Sequence, residues 1–109
     1  MIVSAGYNIA GPEVEAALLA HEAVAECAVV GVLDSDRGNI VEAHIVLSSD
    51  ATGSDALVED LKSHVKATIA PYKYPRSIVF RDALPKTATG KVQRFAIKKE
   101  RANNPQQRA

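Results

Sequence analysis

Hydrophobic positions recur along this chain with two periods, and the switches between them divide it into short elements. Residues 1 to 9 alternate loosely around Gly6, which predicts a short strand, a turn and a return strand. Gly11-Pro12 then opens a helix: Pro12 suits its first position, and Glu13 and Glu15 stand where the positive end of the helix dipole favours acids. Val14, Ala17, Leu18 and His21 follow helical spacing and give that helix one buried stripe. The run Glu26 to Val32 is β-branched and apolar on both faces, as a covered central strand is. Asp34-Ser35-Asp36-Arg37-Gly38-Asn39 reads as a turn. In Val41-Glu42-Ala43-His44-Ile45-Val46-Leu47 apolar and polar positions alternate through Ile45, which predicts antiparallel pairing with Glu26 to Val32 and one wetter face. Ser54 is placed to cap a second helix, with Leu57, Val58, Leu61, Val65, Thr68 and Ile69 on a shared face and Pro71 to stop it. A third strand, Ser77 to Arg81, is bounded by Pro75 and Pro85, and a last short helix begins near Val92.

These elements predict an α+β domain: a small central sheet of about three strands with helices packed on it, plus an N-terminal two-stranded hairpin. The domain covers residues 1 to 100. Residues 101 to 109, with Asn103-Asn104-Pro105-Gln106-Gln107 and almost nothing to bury, are expected to form a mobile tail.

Composition narrows the classes of function. A chain of 109 residues is one domain with an adequate core, and 47% hydrophobic residues argue against disorder of its body. The formal net charge is +0, which removes any general attraction for nucleic acid or membrane and leaves only local patches. There is no Trp and only 5% aromatic residues, a poor basis for a nucleic-acid stacking platform. No apolar run approaches a membrane span and no signal-peptide pattern is present, so a cytoplasmic setting is the expectation. The single cysteine, Cys27, forms no internal disulfide and reads as a small core residue. His21, His44 and His64 fall on different predicted elements without a cysteine or carboxylate at ligand spacing, so no metal site is assigned.

The stretch with the most chemistry is Pro85-Lys86-Thr87-Ala88-Thr89-Gly90-Lys91-Val92-Gln93-Arg94. Pro85 pre-sets φ, Thr87 and Thr89 favour local hydrogen bonds to the backbone, and Gly90 permits a conformation closed to other residues. The loop is therefore expected to be stiff and exposed, with Lys91 just beyond a glycine turn at the start of a basic helix. Such a lysine is suited to meet a phosphate, or is an ordinary solvated one. A nucleotide-binding P-loop is excluded, since it needs glycine where Pro85 stands and a hydroxyl residue where Val92 stands.

Residues 85 to 94 do resemble the P-K-T-x-x-G-K-x-x-R signature of the adenylate-forming enzymes, the family that includes acyl-CoA and aryl-CoA synthetases. Ser4-Ala5-Gly6-Tyr7-Asn8-Ile9-Ala10-Gly11-Pro12-Glu13-Val14-Glu15 resembles a second signature of that family, S-x-G-x-x-I-x-x-x-E-V-E. The two occur in the expected order, and the resemblance covers residues 1 to 100. It implies the C-terminal lid domain of an acid-thiol ligase, with the hinge just before residue 1 and with no activity in isolation. It further implies ATP, Mg2+ and CoA as requirements of the whole enzyme, none of them held tightly by this domain alone.

In the family resembled, the small domain brings its Gly-Lys turn to the acid and ATP for adenylation, then swings so that the Ser-x-Gly loop lies beside the pantetheine of CoA. By that likeness Lys91 is the adenylation lysine, and Ser4, Ala5, Gly6 and Tyr7 form the loop of the thioester step. Gly6 also serves a plain hairpin turn. Thr87, Thr89, Gly90 and Arg94 support the lysine loop, Arg94 by orienting it or by pairing with an acid such as Asp82. A cation about 4 Å from a phosphoryl oxygen gains on the order of 4 kcal/mol at an effective dielectric near 20. Confined to the transition state, that is roughly a thousandfold in rate.

Pro71-Tyr72-Lys73-Tyr74-Pro75-Arg76 interleaves aromatics and cations. By the same resemblance Tyr72, Lys73, Tyr74 and Arg76 are contacts for the nucleotide end of CoA. The competing account packs the rings on the domain and leaves the cations solvated. This segment and Lys91-Val92-Gln93-Arg94-Phe95 are most like benzoate-type and aminobenzoate-type CoA ligases, which points to a small-molecule, aromatic carboxylic acid. The expected partners are the N-terminal adenylation domain and, through neutralisation of Lys91, a lysine acetyltransferase and deacetylase. An alternative of another class is an autonomous CoA-binding or protein-interaction module with the lid fold.

Overall fold

The computed structural model describes residues 2–4, 7–34, 38–49, 51–69 and 73–103. Its elements are β1 (Ile2–Ser4), β2 (Tyr7–Ile9), α1 (Gly11–Leu19), β3 (Val24–Asp34), β4 (Gly38–Leu47), α2 (Asp55–Thr68), β5 (Ser77–Arg81) and α3 (Arg94–Asn103). The fold is α+β, as the periodicity predicts.

Strands β1 and β2 form an antiparallel ribbon in which Ser4 lies opposite Tyr7. The main sheet has the order β3-β4-β5, with β3 antiparallel to β4 and β5 parallel to it. β5 can run parallel because α2 crosses over between the two strands. α1 begins with a proline in its first turn and buries Val14, Ala17 and Leu18. α2 opens where the Ser54 hydroxyl accepts the Leu57 N–H at 3.1 Å, the capping bond that residue type suggests. Leu61 and Val65 are its buried residues.

Two apolar clusters lie on the two faces of the sheet. On one, Val14 and Leu18 of α1 and Leu61 and Val65 of α2 meet Val29, Val41, Ala43, Ile45 and Ile78. On the other, Ile97 of α3 and Leu84 meet Ala28, Val30, Val32 and Ile40. Coverage of both faces accounts for the apolar character of β3, but β3 is an outer strand and β4 the central one, which corrects the sequence expectation. A strand covered above and below reads the same in sequence whether or not it has two neighbours.

A second correction concerns β4. Its polar alternates, Glu42 and His44, are not on a wetter face: they are 0% and 1% exposed. They share strand parity with Ile40 and Val46 and so face α3. Polar atoms there are satisfied by one another, His44 Nε2 at 2.7 Å from Glu42 Oε1 and Ser77 Oγ donating to Glu42 Oε2 at 3.0 Å. α3 also runs to Asn103, past the expected boundary at residue 100. Residues 104–109 of the expected tail lie outside the described residues.

Candidate functional site

The lysine loop is a short hairpin closed by its own backbone. Lys86 and Val92 form an antiparallel bridge. Within it the Thr87 N–H donates to the Lys91 carbonyl at 2.8 Å, and the Gly90 N–H to the Thr87 carbonyl at 2.9 Å. Thr87 Oγ1 accepts the Lys91 N–H at 3.1 Å and lies 3.0 Å from Thr89 Oγ1. Gly90 has φ of 88°, the left-handed region that side chains disfavour. These contacts leave the exposed Lys91 side chain pointing from a braced turn, and among the described residues no acid or acceptor engages its ammonium.

α3 starts at Arg94 rather than near Val92. The Gln93 N–H is spent on the Pro85 carbonyl at 2.8 Å, which closes the hairpin, and the Gln93 carbonyl then accepts the Ala96 N–H at 3.1 Å to begin the helix. Val92 packs against the cluster containing Leu84 and Ile97, so the hairpin has an apolar floor.

Arg94 does not pair with Asp82. Its Nε donates to Glu15 Oε2 at 2.6 Å and its NH2 to Glu15 Oε1, a two-pronged contact between α3 and α1. Glu15 is buried, and its Oε2 also accepts the Val29 N–H of β3 at 2.8 Å. Glu15 is therefore more than an acid placed for the helix dipole. The hydrogen bond with Glu15 raises the Arg94 pKa above its ordinary high value, against the opposing effect of burial. On the other leg of the hairpin Lys86 pairs with Glu26 of β3 at 2.5 Å. Sequence reading missed both acids because each is distant in the chain; the only trace was that Glu15 closes one signature and Arg94 the other.

The remaining expected site residues fall into two further groups. Ser4 and Tyr7 face each other at the end of the ribbon, while Ala5 and Gly6 lie outside the described residues. In the second group Tyr74 packs, half-buried, against the larger apolar cluster. Lys66 Nζ lies 4.2 Å from its ring centre and Arg76 Cζ 4.9 Å, and Arg76 NH1 donates to the Tyr74 hydroxyl at 2.7 Å. Lys73 pairs with Glu13 of α1. Tyr72 lies outside the described residues. Phe95, one residue into α3, is 79% exposed.

The histidines are less scattered than their sequence positions suggest. His21 and His64 meet edge to face with ring centres 5.2 Å apart, and His21 Nε2 lies 2.7 Å from Asp60 Oδ2. His64 Nε2 is used on the Ala17 carbonyl at 2.8 Å. Among the described residues no group of three His, Cys, Asp or Glu side chains could hold a metal ion. Cys27 is buried, and its thiol donates to the Glu15 carbonyl at 3.5 Å. Burial first, then the Glu15 charge, push its pKa up to about 12 against the opposing pull of Arg94, so it is no nucleophile near neutrality.

This geometry, a braced exposed lysine hairpin tied to a three-stranded sheet, has close counterparts among known proteins. The profile of the AMP-binding enzyme C-terminal domain family matches residues 13–91. The benzoate–CoA ligase of Thauera aromatica is 53% identical over 98 residues, which are 90% of this chain and 19% of that protein. An acyl-CoA synthetase crystal structure from Brucella canis superposes with a TM-score of 0.92 at 46% identity, covering 96% of this chain and 19% of that one. The anthranilate CoA ligase AuaEII, solved in complex with anthranoyl-AMP, superposes with a TM-score of 0.81 at 42% identity, covering 87% and 18%. The chain thus spans about a fifth of the length of the relatives it matches. By profile, sequence identity and fold together, the chain belongs to the AMP-binding enzyme C-terminal domain family.

Proposed function

We propose that this domain serves an ATP-dependent acyl- or aryl-CoA ligase and that Lys91 is its adenylation lysine. In the first step an oxygen of the carboxylate attacks the α-phosphorus of ATP, the bond to the bridging oxygen breaks, and diphosphate leaves with the electron pair. In the second the CoA sulfur, having lost its proton, attacks the acyl carbon and AMP departs. Two anions meet in the first step, so a cation delivered to the phosphoryl oxygens lowers its barrier.

The observation that carries the reading is the Lys91 hairpin: its backbone is braced by hydrogen bonds while its ammonium is left exposed and without a partner among the described residues. Ser4 to Tyr7 are the loop for the thioester step, and Lys66 and Arg76 at Tyr74 are the cations available to the anionic end of CoA. The named substrates of two relatives, benzoate and anthranilate, support an aromatic acid. The acid and ATP would be held by an N-terminal adenylation domain, in the cytoplasm. No Mg2+ ligand is assigned to this chain. An acetyltransferase that neutralised Lys91 would switch the first step off, and a deacetylase would restore it. No helix among the described residues is long and apolar enough to cross a membrane.

The test joins this chain to the Thauera benzoate–CoA ligase in place of its matching segment and compares Lys91→Ala with the parent chimera. Benzoyl-adenylate formation, followed by diphosphate exchange, should fall by at least about a hundredfold. Conversion of supplied benzoyl-adenylate to benzoyl-CoA should persist. Full adenylation in the variant, or equal loss of both steps, would contradict the assignment.

A further inference from the structure

We infer that Glu15 is a positioning residue for Lys91: through Arg94 it fixes the direction in which the lysine hairpin leaves the domain. The inference rests on Lys91 acting in adenylation, as proposed above, and adds the element that aims it.

The argument starts from how the hairpin is attached. Its turn is internally braced, but a braced turn can still pivot on its two legs. Each leg ends in a cation that reaches an acid elsewhere in the fold. Lys86 on the first leg meets Glu26 of β3 at 2.5 Å, and Arg94, three residues beyond Lys91, meets Glu15 of α1. The two contacts differ in kind. Lys86 and Glu26 are each 39% exposed, so water competes for both. In the other pair the Glu15 side chain is only 9% exposed, and the planar guanidinium engages both of its carboxylate oxygens.

Glu15 is itself held through both its side chain and its backbone. The Val29 N–H donates to its Oε2 at 2.8 Å, and its backbone carbonyl accepts from Cys27, both on the outer strand β3. A carboxylate held by a helix and a strand is a fixed reference point, and a forked donor docked on it has little angular freedom. Because Arg94 is the first residue of α3, that docking sets both the start of the helix and the end of the hairpin. α1 and α3 lie on opposite faces of the sheet, so the ion pair passes around the edge of β3 and makes the first and second signatures one body.

The proposal distinguishes aiming from folding. A group that only stabilised the domain would, when altered, depress both half-reactions together and lower the melting temperature. A group that aims Lys91 affects the step in which Lys91 takes part, since a displacement of about 1 Å at a reacting centre costs on the order of a hundredfold.

The experiment uses the same chimera. Glu15→Gln keeps the shape and an acceptor for Val29 while removing the charge, and Arg94→Lys keeps the charge but loses the fork. Both should lower kcat for benzoyl-adenylate formation by roughly tenfold to a hundredfold, with KM for ATP and the thioester step each within about threefold of the parent. Arg94→Ala covers the case in which Glu15→Gln does not fold. The Arg94 side chain is 49% exposed, so added methylguanidinium can reach the vacated position and should recover adenylation at least about fivefold. Adenylation within about threefold of the parent in Glu15→Gln, equal loss of both steps, or no rescue of Arg94→Ala would overturn the inference. Lys91→Ala separates the two levels: if it retains adenylation the functional reading fails, whereas a dead Lys91→Ala beside a normal Glu15→Gln removes only the aiming role.

Discussion

Replacing Glu42 by alanine should destabilise this domain more than the loss of any ordinary core methyl group. Glu42 and His44 project from β4 toward α3, with side chains 0% and 1% exposed. Glu42 Oε1 accepts from the His44 Nε2–H at 2.7 Å and its Oε2 from the Ser77 hydroxyl at 3.0 Å. That places the imidazole proton on Nε2 and leaves Nδ1 as the acceptor 3.4 Å from Arg81 NH1. Arg81 continues to Glu100 on α3 at 3.2 Å, so the network ties β4, β5 and α3 together. Alanine at position 42 strands two buried donors, each costing about 1–3 kcal/mol, and unpairs a buried charge-assisted contact. A loss of about 2–6 kcal/mol follows from the two stranded donors together. Against a total stability of about 5–15 kcal/mol this is a large share. The assay is thermal unfolding of the 109-residue chain at pH 7, followed by circular dichroism, with the melting point expected to drop by roughly 8 °C or more. The triple variant Glu42→Met, His44→Leu, Ser77→Ala removes the partners together and should lose less than about 2 kcal/mol. A cost under about 1 kcal/mol for the single variant, or a triple variant worse than the single, would refute the reasoning.

Four further outcomes can be checked on the same chain. Gly90→Ala should cost about 1–2 kcal/mol from backbone strain alone, because a side-chain carbon there meets nothing within 4 Å, and Gly90→Asn should cost less; equal stability of all three would show that the left-handed turn is not maintained. With its pKa raised from 9.0 to about 12, Cys27 should react with an aromatic disulfide near pH 8 roughly a thousandfold more slowly than an unfolded thiol. The unfolded chain gives up that proton first, so the Cys27 contribution is intact below pH 9 and is lost as pH rises toward about 12; alkaline unfolding profiles of the parent and Cys27→Ala that coincide over that window would contradict it. Ser54→Ala should cost about 1 kcal/mol in urea unfolding through loss of the Leu57 N–H bond, and no change would mean the cap is replaced by water.

Local signals in the sequence were legible where local chemistry decides the structure. The bounds of β5, Ser77–Arg81, follow from flanking prolines and a β-branched run, and the Ser54 cap follows from its hydroxyl before an apolar stripe. The glycine turn before Lys91 was readable because φ of 88° suits glycine and little else. What failed to appear were consequences of tertiary pairing. Alternation in β4 shows that its faces differ but not that the polar face is roofed by α3, so Glu42 and His44 looked wet. The apolar run in β3 reports cover above and below, not the number of neighbouring strands. Arg94 had a nearer acid in sequence in Asp82, yet the chain reverses so as to bring Glu15 to it. His21 and His64 are brought edge to face by the packing of α1 against α2, at a separation in sequence that no spacing rule spans.

The outer position of β3 gives the Glu15 contact a second meaning. Eleven residues of border strand are a long template on which a strand from a neighbouring molecule could add itself by backbone pairing. The Val29 amide is already occupied by Glu15, and the guanidinium of Arg94 rests on the same carboxylate, so that stretch of the border offers a plugged, ionic surface in place of an open ladder. The same carboxylate that holds Arg94 thereby blunts this part of the border against edge-to-edge pairing with another chain.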